Sequence, residues 1–241
     1  MRAIVLATAF VFASCGNRSP KQEAQSEEVP ATAETPEVEL GFNHHPNRLL
    51  LIVDPQNDFV EGGALATAKG AEVLTRLEHA IKDEQWKNYR WIIVTQDMHP
   101  ANHCSFKEQG GVFPPHCVQG TKGAEVYATL DQTLHALIDK GYQVHYMGKG
   151  NLAEKEEFSI FQNDYNGEKL RRTIEEFEKF EGIDICGIAT DYCVYETTKD
   201  LMEFYPAKQI RIVTNCIAAV DENDTKLADL MKENGIEGIE F

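Results

Sequence analysis

Ile185-Cys186-Gly187-Ile188-Ala189-Thr190-Asp191-Tyr192-Cys193 is the stretch on which the reading of this chain turns. The apolar, β-forming run from Ile183 to Ile188 gives way through small residues to a helical pattern that opens near Cys193 and continues at Val194, Thr197, Thr198 and Leu201. A thiol therefore falls at a strand-to-helix turn. The first turn of a helix carries unpaired N–H groups and a partial positive charge, which lower a thiol's pKa and can hold an oxyanion. One turn could supply both a nucleophile and the donors that receive the charge it creates. A cysteine taken alone is more often an inert, buried thiol, so the decision lies with the rest of the chain.

Outward from that turn, strand and helix signals alternate. Upstream, Leu49 to Val53 is a continuous apolar run, as expected of a strand buried on both faces. Val73, Leu74, Leu77 and Ile81 recur at helical spacing, and Trp91 to Thr95 is the next strand. A long loop follows with Pro100, Gly110, Gly111, Pro114 and Pro115. Leu130, Leu134, Leu137 and Ile138 mark a helix ended by Gly141, and Tyr142 to Met147 reads as a strand. Leu170, Ile174 and Phe177 mark a further helix with Gly182 as its stop. Downstream, Gln209 to Thr214 is a strand, Leu227, Leu230 and Met231 a helix, and Ile236 to Phe241 a last strand. This alternation predicts an α/β fold: a doubly wound, three-layer α/β/α arrangement around a mostly parallel sheet. Sites in such folds lie at the carboxyl ends of the strands.

The chemically active residue types gather at those ends. Asp54 follows the first strand, Asp97-Met98-His99 follows the second, and Lys149 follows the third between Gly148 and Gly150. Asp54, Lys149 and Cys193 each fall at or just after the carboxyl end of a different predicted strand, so the fold brings them to one edge of the sheet. Asp97 and His99, with His116 further on, form a carboxylate and imidazole set suited to Zn²⁺, Fe²⁺ or Mn²⁺. Plainer readings exist for each residue: a turn or cap for Asp54, surface positions for the histidines, a solvated charge for Lys149.

Five ordered segments carry a resemblance. They are Val53-Asp54-Pro55-Gln56-Asn57-Asp58-Phe59 with Glu61 to Leu65, Asp97-Met98-His99-Pro100 with Asn102-His103, Phe113-Pro114-Pro115-His116-Cys117-Val118, Lys149-Gly150, and Gly187 to Val194. From Leu49 onward the chain resembles the nicotinamidase branch of the isochorismatase-like cysteine hydrolases. The resemblance implies a catalytic triad of Asp54, Lys149 and Cys193. It also implies a cis peptide between Ile188 and Ala189, an oxyanion hole from the N–H groups of Ala189 and Cys193, and one divalent metal ion on Asp97, His99 and His116. His103 matches a position that ligates in some members. Phe59 and Phe113 match positions that sandwich the substrate ring, with Ile188 and Ala189 beside it; core packing is the other reading of the two phenylalanines. The implied reaction is metal-dependent hydrolysis of nicotinamide to nicotinate and ammonia through a cysteine thioester, with pyrazinamide as a second substrate. Glu156 to Phe161 keeps only Ser159 and Phe161 of the usual Asp-Ser-Tyr-Ser-Ala-Phe, which leaves another small amide open. A tethered binding protein without turnover is the alternative from outside enzymology.

The N-terminus gives a setting. Met1-Arg2, the apolar run Ala3 to Ala13 and Ser14-Cys15 read as a lipoprotein-type signal over residues 1–15, with lipid on Cys15. Residues 16–45 are rich in Glu, Ser, Pro, Ala and Thr and read as a flexible tether. Residues 46–241 then form the hydrolase domain. The expected location is a bacterial periplasm or outer membrane, or the cytoplasm if the first segment is merely apolar. A net charge of -16 argues against nucleic acid and anionic membrane surfaces as partners. Six cysteines are too few for a disulfide scaffold, and pairing among Cys104, Cys117, Cys186 and Cys216 stays open, as does homo-oligomerisation.

Overall fold

The computed structural model describes residues 47–177 and 179–241. The segments expected as a signal and a tether, with Cys15, lie outside the described residues. Six strands form one sheet: β1 (Arg48–Val53), β2 (Trp91–Asp97), β3 (Val144–Lys149), β4 (Gly182–Ile188), β5 (Ile210–Ala218) and β6 (Glu237–Ile239). Their order is β3-β2-β1-β4-β5-β6, and every pairing is parallel. The helices are α1 (Gly70–Lys82), α2 (Ala128–Ile138), α3 (Asn166–Glu175), α4 (Cys193–Phe204) and α5 (Lys226–Asn234).

Strand periodicity builds the two cores. Side chains of β1 alternate between faces. Leu50 and Ile52 join Leu74 and Leu77 of α1 and Leu130 and Leu134 of α2. Leu49, Leu51 and Val53 join Leu170 of α3, Val194 and Leu201 of α4 and Leu227 of α5. All five apolar residues of β1 are at most 1% exposed, and each such side chain contributes about 1.5–3 kcal/mol on burial. A strand covered on both faces must be apolar at every position, which is why Leu49 to Val53 shows no alternation in sequence.

The chain builds outward from β1 through β2 to β3, then crosses back to lay β4 on the other side of β1. Strand order thus reverses between β1 and β4, and a crevice opens at their carboxyl ends. Gly187 permits the close approach there: at φ +111°, its missing Cβ would stand 2.1 Å from the carbonyl oxygen of Val53.

Three expectations shift. Gly182 does not stop α3, which ends at Glu175; it opens β4 as the register partner of Arg48. The third strand runs to Lys149 rather than Met147, so the lysine is the strand's last residue. The last strand is only three residues long, against the edge of β5. Among the described residues no helix is long and apolar enough to cross a membrane.

Candidate active site

Asp54, Asp97, Lys149 and Cys193 converge at the crevice. Asp54 is the first residue past β1 and turns the chain sharply at φ +44°. Its carboxylate is fixed from the neighbouring strand: Thr95 Oγ1 donates to Asp54 Oδ1 at 2.7 Å and accepts the Asp54 N–H at 3.2 Å. Lys149 closes β3 and is fully buried. Its ammonium lies 2.8 Å from Asp54 Oδ2, 2.5 Å from Asp97 Oδ1 and 3.5 Å from Cys193 Sγ, and it donates to the Glu157 carbonyl at 3.1 Å. Asp54 Oδ2 faces the ammonium as an ion pair but takes no directed hydrogen bond. Cys193, the first residue of α4, brings Sγ within 4.8 Å of a carboxylate oxygen of both Asp54 and Asp97.

Two carboxylates sharing one lysine are driven apart in basicity. Burial raises the Asp54 carboxyl above its ordinary value, and Lys149 only partly offsets this. Burial works on Asp97 too, but the charges of Lys149 and His99 outweigh it and hold Asp97 well below the usual carboxylate range. Such separation is how a site assigns one carboxylate to proton transfer and keeps the other ionised. Burial also opposes the Lys149 charge, yet Asp54, Asp97 and Cys193 together raise its pKa, so the ammonium persists. The thiol departs from the sequence expectation. Burial raises the Cys193 pKa, Lys149 relieves part of this, and Asp54 and Asp97 add to it, so the assembled site favours the protonated sulfur.

Asp97, His99 and His116 place one ligand atom each within 4.8 Å of one another. His99 Nδ1 meets the Gly150 carbonyl at 2.9 Å, and His116 Nδ1 meets the Pro114 carbonyl at 2.8 Å, so both rings turn Nε2 to the shared space. His99 Nε2 lies 3.6 Å from Asp97 Oδ2 and is buried without a hydrogen-bond partner. Leaving such an atom unpaired costs about 1–3 kcal/mol. A divalent metal would satisfy it, and two imidazoles with one carboxylate suit such an ion. Gly150 makes room: at φ +62°, a Cβ there would stand 2.5 Å from His99 Cε1. His103 stacks on His99 with centroids 4.0 Å apart, and its ring nitrogens meet Ser105 Oγ at 2.7 Å and the Lys155 carbonyl at 2.9 Å. It falls in a second ligand grouping with His99 and Glu156 rather than with His116.

The peptide bond between Ile188 and Ala189 is cis. The turn's own hydrogen bonds use the N–H groups of Thr190, Tyr192 and Val194, leaving those of Ala189 and Cys193 outside them. A pocket beside the turn is lined by Phe59, Phe113, Phe158, Tyr192, His116 and Cys193, with Ala189 at its edge. Ile188 is fully buried in β4, and Ala189 is the member of that pair that reaches the pocket.

Several contributors carried little sequence signal. Gln56 clasps Asp97 through its side chain, accepting the Asp97 N–H and donating to the Asp97 carbonyl, each at 2.7 Å. Asp58 Oδ2 accepts the Cys117 N–H at 2.7 Å, fixing the loop beside His116. Thr95 was findable as a fully buried hydroxyl at the end of an apolar strand. Phe158 and Glu157 were not, because loop closure alone brings them in.

Residues 48–236 match the isochorismatase domain family. The chain belongs to that family and, within it, to the nicotinamidase branch. It is 33% identical over 198 residues to the nicotinamidase/pyrazinamidase of Mycobacterium tuberculosis, spanning 76% of this chain and 98% of that one. Its fold superposes on the pyrazinamidase of Pyrococcus horikoshii in complex with zinc, with a TM-score of 0.66, 30% identity, and coverage of 81% of this chain and 100% of that one. A protein of L. infantum, PnC1, in complex with nicotinate gives a TM-score of 0.65 at 30% identity, over 80% of this chain and 92% of that one.

Proposed function

We propose that the protein hydrolyses nicotinamide to nicotinate and ammonia. The observation that carries this is the placement of one buried ammonium, Lys149, against Asp54, Asp97 and Cys193 together, beside an aromatic pocket. Asp54, the more basic carboxylate, takes the Cys193 proton, and Lys149 holds the thiolate formed. Sulfur attacks the carboxamide carbon, and the N–H groups of Ala189 and Cys193 receive the oxyanion, each such donor being worth about 3–4 kcal/mol in the transition state. Asp54 returns its proton to the departing ammonia, leaving an acyl thioester. It then draws a proton from water as that water attacks, releasing nicotinate and the thiol. Phe59 and Phe113 face the substrate ring in this pose.

Asp97, His99 and His116 would hold a divalent metal, which supplies a ligand position for the pyridine nitrogen. The likeness to a zinc-bound pyrazinamidase and a nicotinate-bound relative supports both the ion and the ligand class. Glu156, which lines the pocket where the loop departs from the usual family motif, favours a second reading in which another small amide is preferred. The test is ammonia release from nicotinamide by the purified protein, with chelator and with Zn²⁺, Fe²⁺ or Mn²⁺ restored. Turnover lost to chelator and regained with metal is expected; inertness under every metal, with turnover of another amide, would move the assignment. For the setting we propose residues 1–15 as a signal and Cys15 as the lipid site, checked by radiolabelled palmitate incorporation and its loss in Cys15→Ala.

A further inference from the structure

Between β3 and α3 the chain makes a strap over the buried lysine, and one residue fastens it. Glu157 is 1% exposed, in a segment whose sequence is polar and charged. Its Oε2 accepts the Gly150 N–H at 2.8 Å and Asn163 Nδ2 at 2.8 Å. Its Oε1 faces Lys155 Nζ at 2.9 Å, and its main-chain carbonyl accepts from Lys149 Nζ at 3.1 Å. Asn163 in turn accepts the Asn166 N–H at 2.9 Å, and Asn166 Nδ2 donates to the Gly148 carbonyl at 2.7 Å. The strap is thereby tied on both sides of Lys149, at Gly148 and Gly150.

From this we infer that Glu157 is a positioning residue: its carboxylate fixes the strap so that its carbonyl orients the Lys149 ammonium toward Cys193. The inference rests on the reading of Cys193 as nucleophile. An ammonium has three donors, and here they go to Asp97 Oδ1, the Glu157 carbonyl and Cys193 Sγ. With Asp97 and the Glu157 carbonyl holding two of them, the third is directed at the sulfur. The Glu157 side chain acts as an acceptor rather than as a charge. Lys155 is 37% exposed, so that ion pair is screened and weak, whereas the Gly150 and Asn163 donors converge on one buried oxygen. A glutamine can place its carbonyl oxygen on those two donors, while Lys155 Nζ keeps its other acceptor, the Gln162 carbonyl at 2.5 Å.

The experiment compares Glu157→Ala and Glu157→Gln with wild type in the full chain. Three quantities are read: kcat and KM for nicotinamide, the rate of iodoacetamide alkylation at Cys193 resolved by peptide mass spectrometry, and the thermal midpoint. Glu157→Ala is expected to lower kcat about tenfold with KM within about twofold, as a small misplacement of a reacting group does, and to slow alkylation of Cys193 in parallel. Glu157→Gln is expected to recover most of both rates. Wild-type kcat and alkylation in Glu157→Ala would overturn the inference, and so would a Gln variant as impaired as Ala or a change confined to KM. If wild type does not turn over nicotinamide, the function assignment fails, but the alkylation rates still decide the role of Glu157.

Discussion

Asp97 and Lys149 are register partners at the carboxyl ends of β2 and β3, and their side chains meet at 2.5 Å. The other oxygen of Asp97 faces His99 Nε2 at 3.6 Å. One carboxylate therefore touches both the cation beside the Cys193 thiol and the candidate ligand set. Asp97→Asn is expected to abolish metal retention, measured by elemental analysis of the purified protein. Alkylation of Cys193 should change in the same variant, because Lys149 loses one of its two counter-charges. Retained metal with unaltered thiol reactivity would separate the two halves of the site.

Acid inactivation should follow Asp54. As the base proposed for Cys193 it would work only when ionised, and burial holds its pKa above the ordinary aspartate value. The acid limb of kcat/KM should therefore lie at higher pH than an exposed aspartate would give, with activity lost as pH falls through that raised pKa. The hydrogen bond from Thr95 opposes the rise. Thr95→Val should move the limb to still higher pH; an unmoved limb would mean that another group titrates there.

The two neighbouring histidines should behave differently. His116→Ala removes a ring whose Nε2 is free for a ligand role, and is expected to lower the metal bound per chain. His103→Ala removes a ring held at both nitrogens, leaving Ser105 and the Lys155 carbonyl unpaired. Its expected effect is on stability, about 1–3 kcal/mol, with metal content kept. Thermal melts and metal analysis on both variants check this, and metal loss in His103→Ala would place His103 among the ligands.

The sequence foretold the parts of this structure that depend on local pattern. Leu49 to Val53 could only be a strand covered twice, and the Gly187 to Cys193 turn marked the site because small residues there must let β1 approach and α4 begin. Lateral relations were hidden. No spacing rule shows that β3 lies beside β2 so that Lys149 meets Asp97, nor that a polar strap would bury Glu157. The thiol's basicity was misjudged for the same reason: helix N-terminus and lysine are visible in sequence, but full burial between two carboxylates is a property of the assembled site.

At the amino end of the sheet, Asp184 of β4 is fully buried among three donors. Arg211 reaches it at 2.8 and 2.5 Å, Arg48 at 3.2 and 2.5 Å, and the Tyr89 hydroxyl donates to it at 2.7 Å. Burial raises its pKa, but the hydrogen bonds from Arg211, Arg48 and Tyr89 outweigh this and hold it below the ordinary value. A carboxylate with a depressed native pKa contributes stability that is fully present above the unfolded value, about 3.9, and is lost as pH falls through the native one. Asp184→Asn leaves two arginines facing a neutral amide. Breaking a buried pair in this way costs about 3–5 kcal/mol, and the lower end applies here because the Arg211 side chain is 27% exposed and water recovers part of the loss. Urea unfolding at neutral pH should show that deficit, and the gap between wild type and variant should narrow below the ordinary carboxylate pKa. Equal midpoints at neutral pH would show that the cluster contributes nothing net to the fold.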